Sequence, residues 1–246
     1  MIYAAFRSIG AYIPPKIMSN ADFEKIIDTS DEWITKRTGI KERRIANEGE
    51  ASSDLGARAG ELAIERAGIS KEEIDLVICA TVTPDFLCMP STACLIAAKL
   101  GLPNVMAFDV SAACTGFVYA LNVAKAFIES GMKKNVLIVG AEKYSAILDY
   151  TDRTTCFLFG DGAGAAIISA TNDKNESIID INCSSDALTS TLFGLPRNSL
   201  AIDLTRLEAS AIILKVDQLT KSDPYGAAVT SSTTVGFLPW YAIIVT

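Results

Sequence analysis

The 246-residue chain contains no histidine. A catalytic cysteine therefore has no imidazole to act as its base, and the histidine ligands of zinc sites are missing. No two cysteines form a Cys-x-x-Cys pair, so we predict reduced thiols of a cytosolic protein, most of them in the core, and no metal site. The six cysteines are residues 79, 88, 94, 114, 156 and 183.

An excess of basic residues is also missing, since the formal net charge is -7 and the pI is about 4.8. Nucleic-acid binding is not expected, because such proteins normally need a basic surface to neutralise phosphates. No uninterrupted apolar run approaches the roughly 18 residues of a membrane span, and no basic region precedes the first apolar stretch. We therefore expect a soluble, cytoplasmic protein that binds neither nucleic acid nor membrane.

Half of the residues are hydrophobic, which permits a sizeable core. Strand and helix patterns alternate up to about residue 170, and this predicts a layered α/β fold. Helices that start at a capping residue and stop at a glycine are predicted over Ser30–Gly39, Ser53–Gly68 and Ser91–Gly101, with another after Cys114 that ends at Gly131. Strands are predicted from Leu76, over Val105–Phe108 and over Val136–Val139. The stretch "CFLFGDGAGAAIISA" supplies two further apolar runs, hinged on glycines.

The stretch "FDVSAACTGFVYAL" places Cys114 between a predicted buried strand and the first turn of an apolar helix. The positive end of a helix dipole favours a thiolate, and unpaired backbone N–H groups there could stabilise an oxyanion. Ser111, Ala112, Ala113 and Gly116 add little bulk, as a tight turn presenting a nucleophile requires. The alternative is a buried structural cysteine.

Three motifs, "DTSDEWITKRTGIKERR", "AFDVSAACTGFVYAL" and "TDRTTCFLFGDGAGAA", resemble β-ketoacyl-acyl carrier protein synthase III of the thiolase fold, over about residues 1 to 185. The resemblance implies an acyltransferase that initiates fatty-acid synthesis. Such enzymes condense acetyl-CoA, or another acyl-CoA, with malonyl-acyl carrier protein through an acyl-cysteine. It also implies a homodimer and no cofactor, with acyl-CoA as a substrate.

The resemblance also implies roles for single residues. Cys114 is then the acyl-accepting nucleophile, while Trp33 and Arg153 sandwich the adenine of coenzyme A. Thr29 and Arg37 become further coenzyme A contacts, with Arg37 suited to a phosphate. Alternatively, Trp33 is a partly buried aromatic residue and Arg153 a surface cation. Thr29 and Arg37 would then belong to a solvated helix face.

Met89 matches an aromatic residue that enters the acyl pocket of a partner subunit, and Phe159 matches a residue of the pocket wall. Core packing is the alternative for both. The glycines of "FGDGAGA" are expected to let two backbones approach closely rather than to bind phosphate. A basic cluster of Lys36, Arg37, Lys41, Arg43 and Arg44 either receives the acidic carrier protein or solvates a surface.

The chain departs from this family in its last quarter. The family's second half supplies a histidine in a "PHQAN"-like motif and an asparagine in a "GNTSAAS"-like motif, and neither is present. We therefore divide the chain into a thiolase-like first half, residues 1–185, and an aberrant segment, residues 186–246, in which no second half is recognisable. A truncated, frameshifted or divergent gene would explain this ending, and we expect impaired condensation.

Two alternatives remain for the function. One is a non-catalytic fragment that binds coenzyme A or dimerises. The other is a different acyl-CoA condensing enzyme of the thiolase fold.

Overall fold

A computed structural model describes residues 1–183 of the chain. Its strands are β1 (Tyr3–Tyr12), β2 (Lys16–Ser19), β3 (Glu42–Ile45), β4 (Leu76–Ala80), β5 (Met106–Val110), β6 (Asn135–Lys143) and β7 (Asp161–Thr171). Five of them form a sheet in the order β1-β7-β6-β4-β5, and β2 pairs with β3 in a separate antiparallel ribbon. Within the sheet, β4 is parallel to β5 and β6, while β7 is antiparallel to β6 and β1.

Helices cover both faces of this sheet. They are α1 (Asn20–Phe23), α2 (Asp31–Thr38), α3 (Ser52–Ala67), α4 (Thr92–Leu100) and α5 (Gly116–Glu129). One core lies between the sheet and the α3–α4 pair, and a second lies between the sheet and α5. This arrangement confirms the predicted layered α/β architecture.

The central strand β4 shows why the sheet is buried on both sides. Val77 and Cys79 pack into the core under α3 and α4, whereas Leu76, Ile78 and Ala80 pack into the core under α5. Side chains alternate along a strand, so a strand covered on both faces must be apolar throughout. All five residues are buried, as the sequence predicted.

The predicted helix ends are also found. The Ser30 hydroxyl accepts a hydrogen bond from the Trp33 N–H at 3.1 Å at the start of α2, and Gly39 ends the helix with φ 75°. Ser91 caps α4 in the same way, by accepting from the Cys94 N–H at 3.3 Å. These side chains satisfy N–H groups that have no partner within the helix.

The structure defines one apolar run and corrects one strand boundary. The run "CFLF", residues 156–159, forms a buried turn that packs with Phe23 and Ile34 in a third core. A short apolar run does not distinguish a strand from a buried turn, because both require hydrophobic side chains. Strand β5 spans Met106–Val110 rather than Val105–Phe108, and α5 begins two residues after Cys114.

Gly160 joins the ribbon to the main sheet. A Cβ atom at this position would lie 2.9 Å from the backbone oxygen of Arg44 on β3, which is closer than real Cβ contacts allow. The prediction of close backbone approach is therefore confirmed at Gly160. The predicted segment 186–246 lies outside the described residues. Within residues 1–183, no helix has the length and hydrophobicity needed to cross a bilayer.

Candidate active site

Cys114 lies at the carboxyl-terminal edge of the three parallel strands. Strand β5 ends at Val110, a single 3-10 turn spans Ala113–Thr115, and α5 starts at Gly116. The thiol is exposed rather than buried, so the alternative of a buried structural cysteine is wrong. In open α/β sheets, ligands bind beyond this edge of the strands.

The turn that carries Cys114, residues 111–116, is called the elbow below. Ala113 has φ +46°, in the left-handed region that residues other than glycine rarely adopt. At the other end of the elbow, a Cβ on Gly116 would lie 3.2 Å from the Cβ of Ala80, so α5 begins in close contact with the end of β4. A strained residue and a close approach thus hold the thiol outward.

The pKa of Cys114 is shifted in the opposite direction from the expectation. Partial desolvation by the surrounding protein raises the pKa of this exposed thiol above the ordinary 9.0; its own backbone N–H lowers it, and the charge of Glu142 raises it. Cys114 also lies in the 3-10 turn that precedes α5, and not in the first turn of that helix. Access to solvent, not early ionisation, distinguishes this thiol.

A buried carboxylate lies near the elbow at the end of β6. Glu142 is 8% exposed and accepts hydrogen bonds from the backbone N–H of Val82 at 2.9 Å and from the hydroxyls of Thr81 and Thr83. Burial raises the pKa of Glu142, while these hydrogen bonds lower it. Glu142, Thr81 and Thr83 were not among the predicted site residues. A lone acidic residue within the otherwise apolar "NVLIVGAEK" strand was the available signal.

The predicted coenzyme A residues Trp33, Arg37 and Arg153 come together in space. The guanidinium carbon of Arg37 lies 4.1 Å from the Trp33 ring centroid, and that of Arg153 lies 5.3 Å from it. Arg153 also forms an ion pair with Asp28 at 3.3 Å. Trp33 makes an edge contact with Phe157 of the third core, at a centroid distance of 5.3 Å. We call the surface formed by Trp33, Arg37 and Arg153 the cap.

Thr29 lies just before α2, beside the cap. Its side-chain oxygen is buried and has no hydrogen-bond partner within the described part of the chain. Buried hydroxyls normally have a partner, so this atom is available to a ligand group.

Phe159 and Met89 lie in different surroundings. Phe159 is buried and stacks on Tyr144 at a centroid distance of 4.5 Å. Burial, Glu142 and Cys114 all raise the pKa of Tyr144, so Phe159 is one ring away from the elbow. Met89 is 79% exposed, next to the exposed Leu87. Core packing therefore explains Phe159, but it does not explain Met89.

One member of the predicted basic cluster is misplaced. Arg43 is 4% exposed and donates to the backbone oxygen of Phe157, and burial lowers its pKa to about 10. It cannot meet an acidic partner, so that part of the prediction is wrong. Lys41 and Arg44 each pair with an acidic neighbour at 3.0 Å. In residues 1–183, no group of three acidic or cysteine side chains is arranged to hold a metal ion.

This fold is shared with solved condensing enzymes. The crystal structure of 3-oxoacyl-[acyl-carrier-protein] synthase III from Aquifex aeolicus VF5 is 53% identical, with a TM-score of 0.68, over 70% of this chain and 55% of that one. The described residues therefore have the thiolase-like α/β fold of such enzymes.

Sequence comparisons agree. The family model of 3-oxoacyl-[acyl-carrier-protein (ACP)] synthase III matches residues 108–187. β-Ketoacyl-[acyl-carrier-protein] synthase III of Aliarcobacter butzleri (strain RM4018) is 94% identical over 196 residues, which are 80% of this chain and 59% of that protein. Its counterpart in Sulfurimonas denitrificans is 71% identical over 186 residues, which are 76% of this chain and 56% of that protein. The matched part of this chain is therefore similar to the β-ketoacyl-acyl carrier protein synthase III family.

The match has a limited extent. The chain spans 56–59% of the length of these two curated relatives. The family therefore describes the recognisable part of the chain, and the activity of the chain itself is a matter for proposal.

Proposed function

We propose that this chain accepts an acyl group from acetyl-CoA, or another acyl-CoA, on Cys114. The thiolate sulfur attacks the thioester carbonyl, the bond from that carbon to the coenzyme A sulfur breaks, and the released thiolate takes up the proton that Cys114 gave up. The observation that carries this proposal is the elbow, where an exposed thiol is held next to a residue at φ +46°. Strained backbone of this kind is concentrated at functional sites.

The cap is the proposed coenzyme A surface. A base stacked between Trp33 and Arg153 needs about 7 Å between the two groups, twice the usual contact distance of about 3.5 Å. Their present separation is 5.3 Å, so Arg153 must swing away from the ring when adenine binds. Its ion pair with Asp28 is exposed and costs little to break. Arg37 would then meet a phosphate, and the buried hydroxyl of Thr29 a polar group of the ligand.

The second step of the family's reaction is condensation with malonyl-acyl carrier protein. Loss of one oxyanion donor typically slows such reactions by about 10² to 10³-fold. The family uses a histidine in this step, and none of the 246 residues is a histidine. We therefore propose that the chain is acylated but condenses very slowly.

A second copy of the chain is the proposed partner at the loop that follows β4. Phe86, Leu87 and Met89 are 54%, 83% and 79% exposed. Neighbouring large apolar side chains that face water mark an interaction surface. A homodimer would cover them and place Met89 at an acyl pocket, and the cytoplasm is the proposed compartment.

The proposal is tested by incubating the full chain with acetyl-CoA and locating the acetyl group by peptide mass spectrometry. We expect the label on Cys114 and on neither Cys88 nor Cys94, although both are exposed. Added malonyl-acyl carrier protein should yield almost no condensation product. Absence of the label from Cys114 would contradict the acyl-transfer step, and condensation as fast as in full-length relatives would contradict the proposed impairment.

A non-catalytic coenzyme A-binding module is the second candidate. The raised pKa of Cys114 favours it, because less thiolate is present at neutral pH. Tight coenzyme A binding without acetylation of Cys114 would select this candidate.

A further inference from the structure

A buried carboxylate at the end of β6 has no part in the function proposed above. Glu142 is 8% exposed, and within residues 1–183 its carboxylate accepts hydrogen bonds only from the turn that follows β4. Burying a carboxylate is unfavourable unless it is well paired. Its retention here calls for a role beyond packing.

The turn that Glu142 binds consists of Thr81, Val82 and Thr83. The Thr81 hydroxyl accepts from the Thr83 N–H at 3.1 Å, and the Thr83 hydroxyl accepts from the Lys143 N–H at 2.8 Å. Because each hydroxyl has one hydrogen, both are oriented to donate to Glu142. The carboxylate therefore fixes all three residues of the turn.

The turn Thr81–Thr83 is hydrogen-bonded to the residue that precedes the elbow. The Thr81 N–H donates to the carbonyl oxygen of Val110 at 3.2 Å, directly before the elbow begins. Ala80, the residue before the turn, contacts the start of α5 at Gly116. Contacts of Thr81 and of its chain neighbour Ala80 therefore hold the elbow at both of its ends.

The same turn also anchors the exposed loop that carries Met89. The Ser52 hydroxyl donates to the Thr83 carbonyl oxygen at 2.6 Å. Two residues further on, Asp85 accepts from the Ser53 N–H at 2.9 Å. Glu142 is thus connected to both segments that the acyl-transfer proposal uses.

We propose that Glu142 is a positioning residue, whose carboxylate fixes the turn at Thr81–Thr83 and thereby the geometry of the Cys114 elbow and of the Met89 loop. This inference rests on the proposed function, since it assigns these two segments to acyl transfer. Glu142 acts through its hydrogen-bond partners and does not itself react.

The opposite ends of β4 and β6 supply a matched control. Asp75, just before β4, accepts from the N–H groups of Lys134 and Asn135 at 2.7 and 3.1 Å, and so ties β4 to β6 there. It is half-buried and far along the sheet from the elbow. Asp75→Ala therefore removes a comparable link between the strands without touching the turn.

The charge of Glu142 gives a second readout. It raises the pKa of the Cys114 thiol and that of Tyr144. Two further carboxylates, those of Asp85 and Asp109, act together with Glu142 to raise the pKa of Cys79, which is buried on β4. The nearest cation in sequence, Lys143, directs its ammonium group to the Glu50 carbonyl oxygen.

The experiment compares Glu142→Ala, Glu142→Gln and Asp75→Ala in the full chain. Amide hydrogen exchange of the peptide spanning 108–116 reports the elbow, and iodoacetamide alkylation of Cys114 across pH, read by peptide mass spectrometry, reports the charge. We expect about tenfold faster elbow exchange in Glu142→Ala, and less than about threefold change in Glu142→Gln and Asp75→Ala. Both Glu142 variants should alkylate about threefold faster near neutral pH, because they lack the charge.

If Glu142→Ala does not fold, Thr83→Val replaces it, since it removes one hydroxyl donor from the carboxylate at nearly constant volume. Equal elbow exchange in Glu142→Ala, or its Thr83→Val replacement, and Asp75→Ala would overturn the positioning role. An alkylation profile unchanged in Glu142→Gln would overturn the electrostatic contact. Failure of the wild-type chain to accept acetyl from acetyl-CoA would contradict the proposed function, while the exchange and alkylation results would still decide the role of Glu142.

Discussion

The elbow and the third core beside the cap each contain a cysteine whose pKa is raised, yet the two regions differ in what they offer a ligand. In the elbow, Cys114 is exposed beside small residues and needs no rearrangement to be reached. In the third core, Cys156 is fully buried and burial raises its pKa to about 11. In the adjoining cap, Trp33 already contacts two guanidinium groups. The nucleophile is thus preorganised, whereas the proposed nucleotide surface must open before it binds.

The largest expected effect is a difference in acetyl transfer between variants of two exposed thiols, Cys114 and Cys94. Cys114→Ser should abolish acetyl transfer from acetyl-CoA, because a serine hydroxyl without a base is a poor nucleophile. Cys94→Ser, on α4, should leave transfer unchanged. Mass spectrometry of the intact chain after incubation with acetyl-CoA measures both. Acetylation that persists in Cys114→Ser would place the acceptor elsewhere.

The two thiols should also differ in alkylation. Iodoacetamide should modify Cys114 at least about 100-fold faster than Cys156, because the third core must open to expose Cys156. Since the pKa of Cys114 lies above 9.0, its rate should rise about tenfold per pH unit from about pH 7 to pH 9 without reaching a plateau. A plateau below pH 8 would show that the helix end lowers the pKa after all.

The cap is tested by Trp33→Ala, which should weaken coenzyme A binding about tenfold, since stacking of a base on an aromatic ring contributes about 1–3 kcal/mol. Asp28→Asn is the comparison variant, for which no loss of coenzyme A affinity is expected. It releases Arg153 from its ion pair and should bind coenzyme A as well as the wild-type chain, or slightly better. Isothermal titration calorimetry measures both, and unchanged affinity in Trp33→Ala would remove the cap from the binding surface.

The smallest effect concerns stability within the elbow. Ala113→Val places a β-branched residue at φ +46°, and we expect a loss of about 1–3 kcal/mol in the free energy of unfolding. Ala112→Val is the control, because it adds the same side-chain bulk at the neighbouring residue, where φ is negative at -146°. Urea denaturation followed by circular dichroism compares them. Equal losses would show that the elbow is not strained.

The elbow could be predicted from sequence because its signals are local. A buried strand, a run of small residues and an apolar helix follow one another within "FDVSAACTGFVYAL", and the structure keeps that order. The Glu142 network could not be predicted, since its partners lie 59–61 residues away and only the pairing of β4 with β6 brings them together. The cap was predicted through family motifs, but its stacked arginines follow from side-chain geometry.

The pairing of β1 with β7 has a consequence for synthesis on the ribosome. Tyr3 aligns with Thr171 in this ladder. Strand β1 leaves the ribosome first and can pair only after β7 has been synthesised. At about 5–20 residues per second, that wait lasts roughly ten to thirty seconds. During this interval the nascent chain carries an unpaired apolar strand, and a ribosome-associated chaperone that shields such strands would act here first.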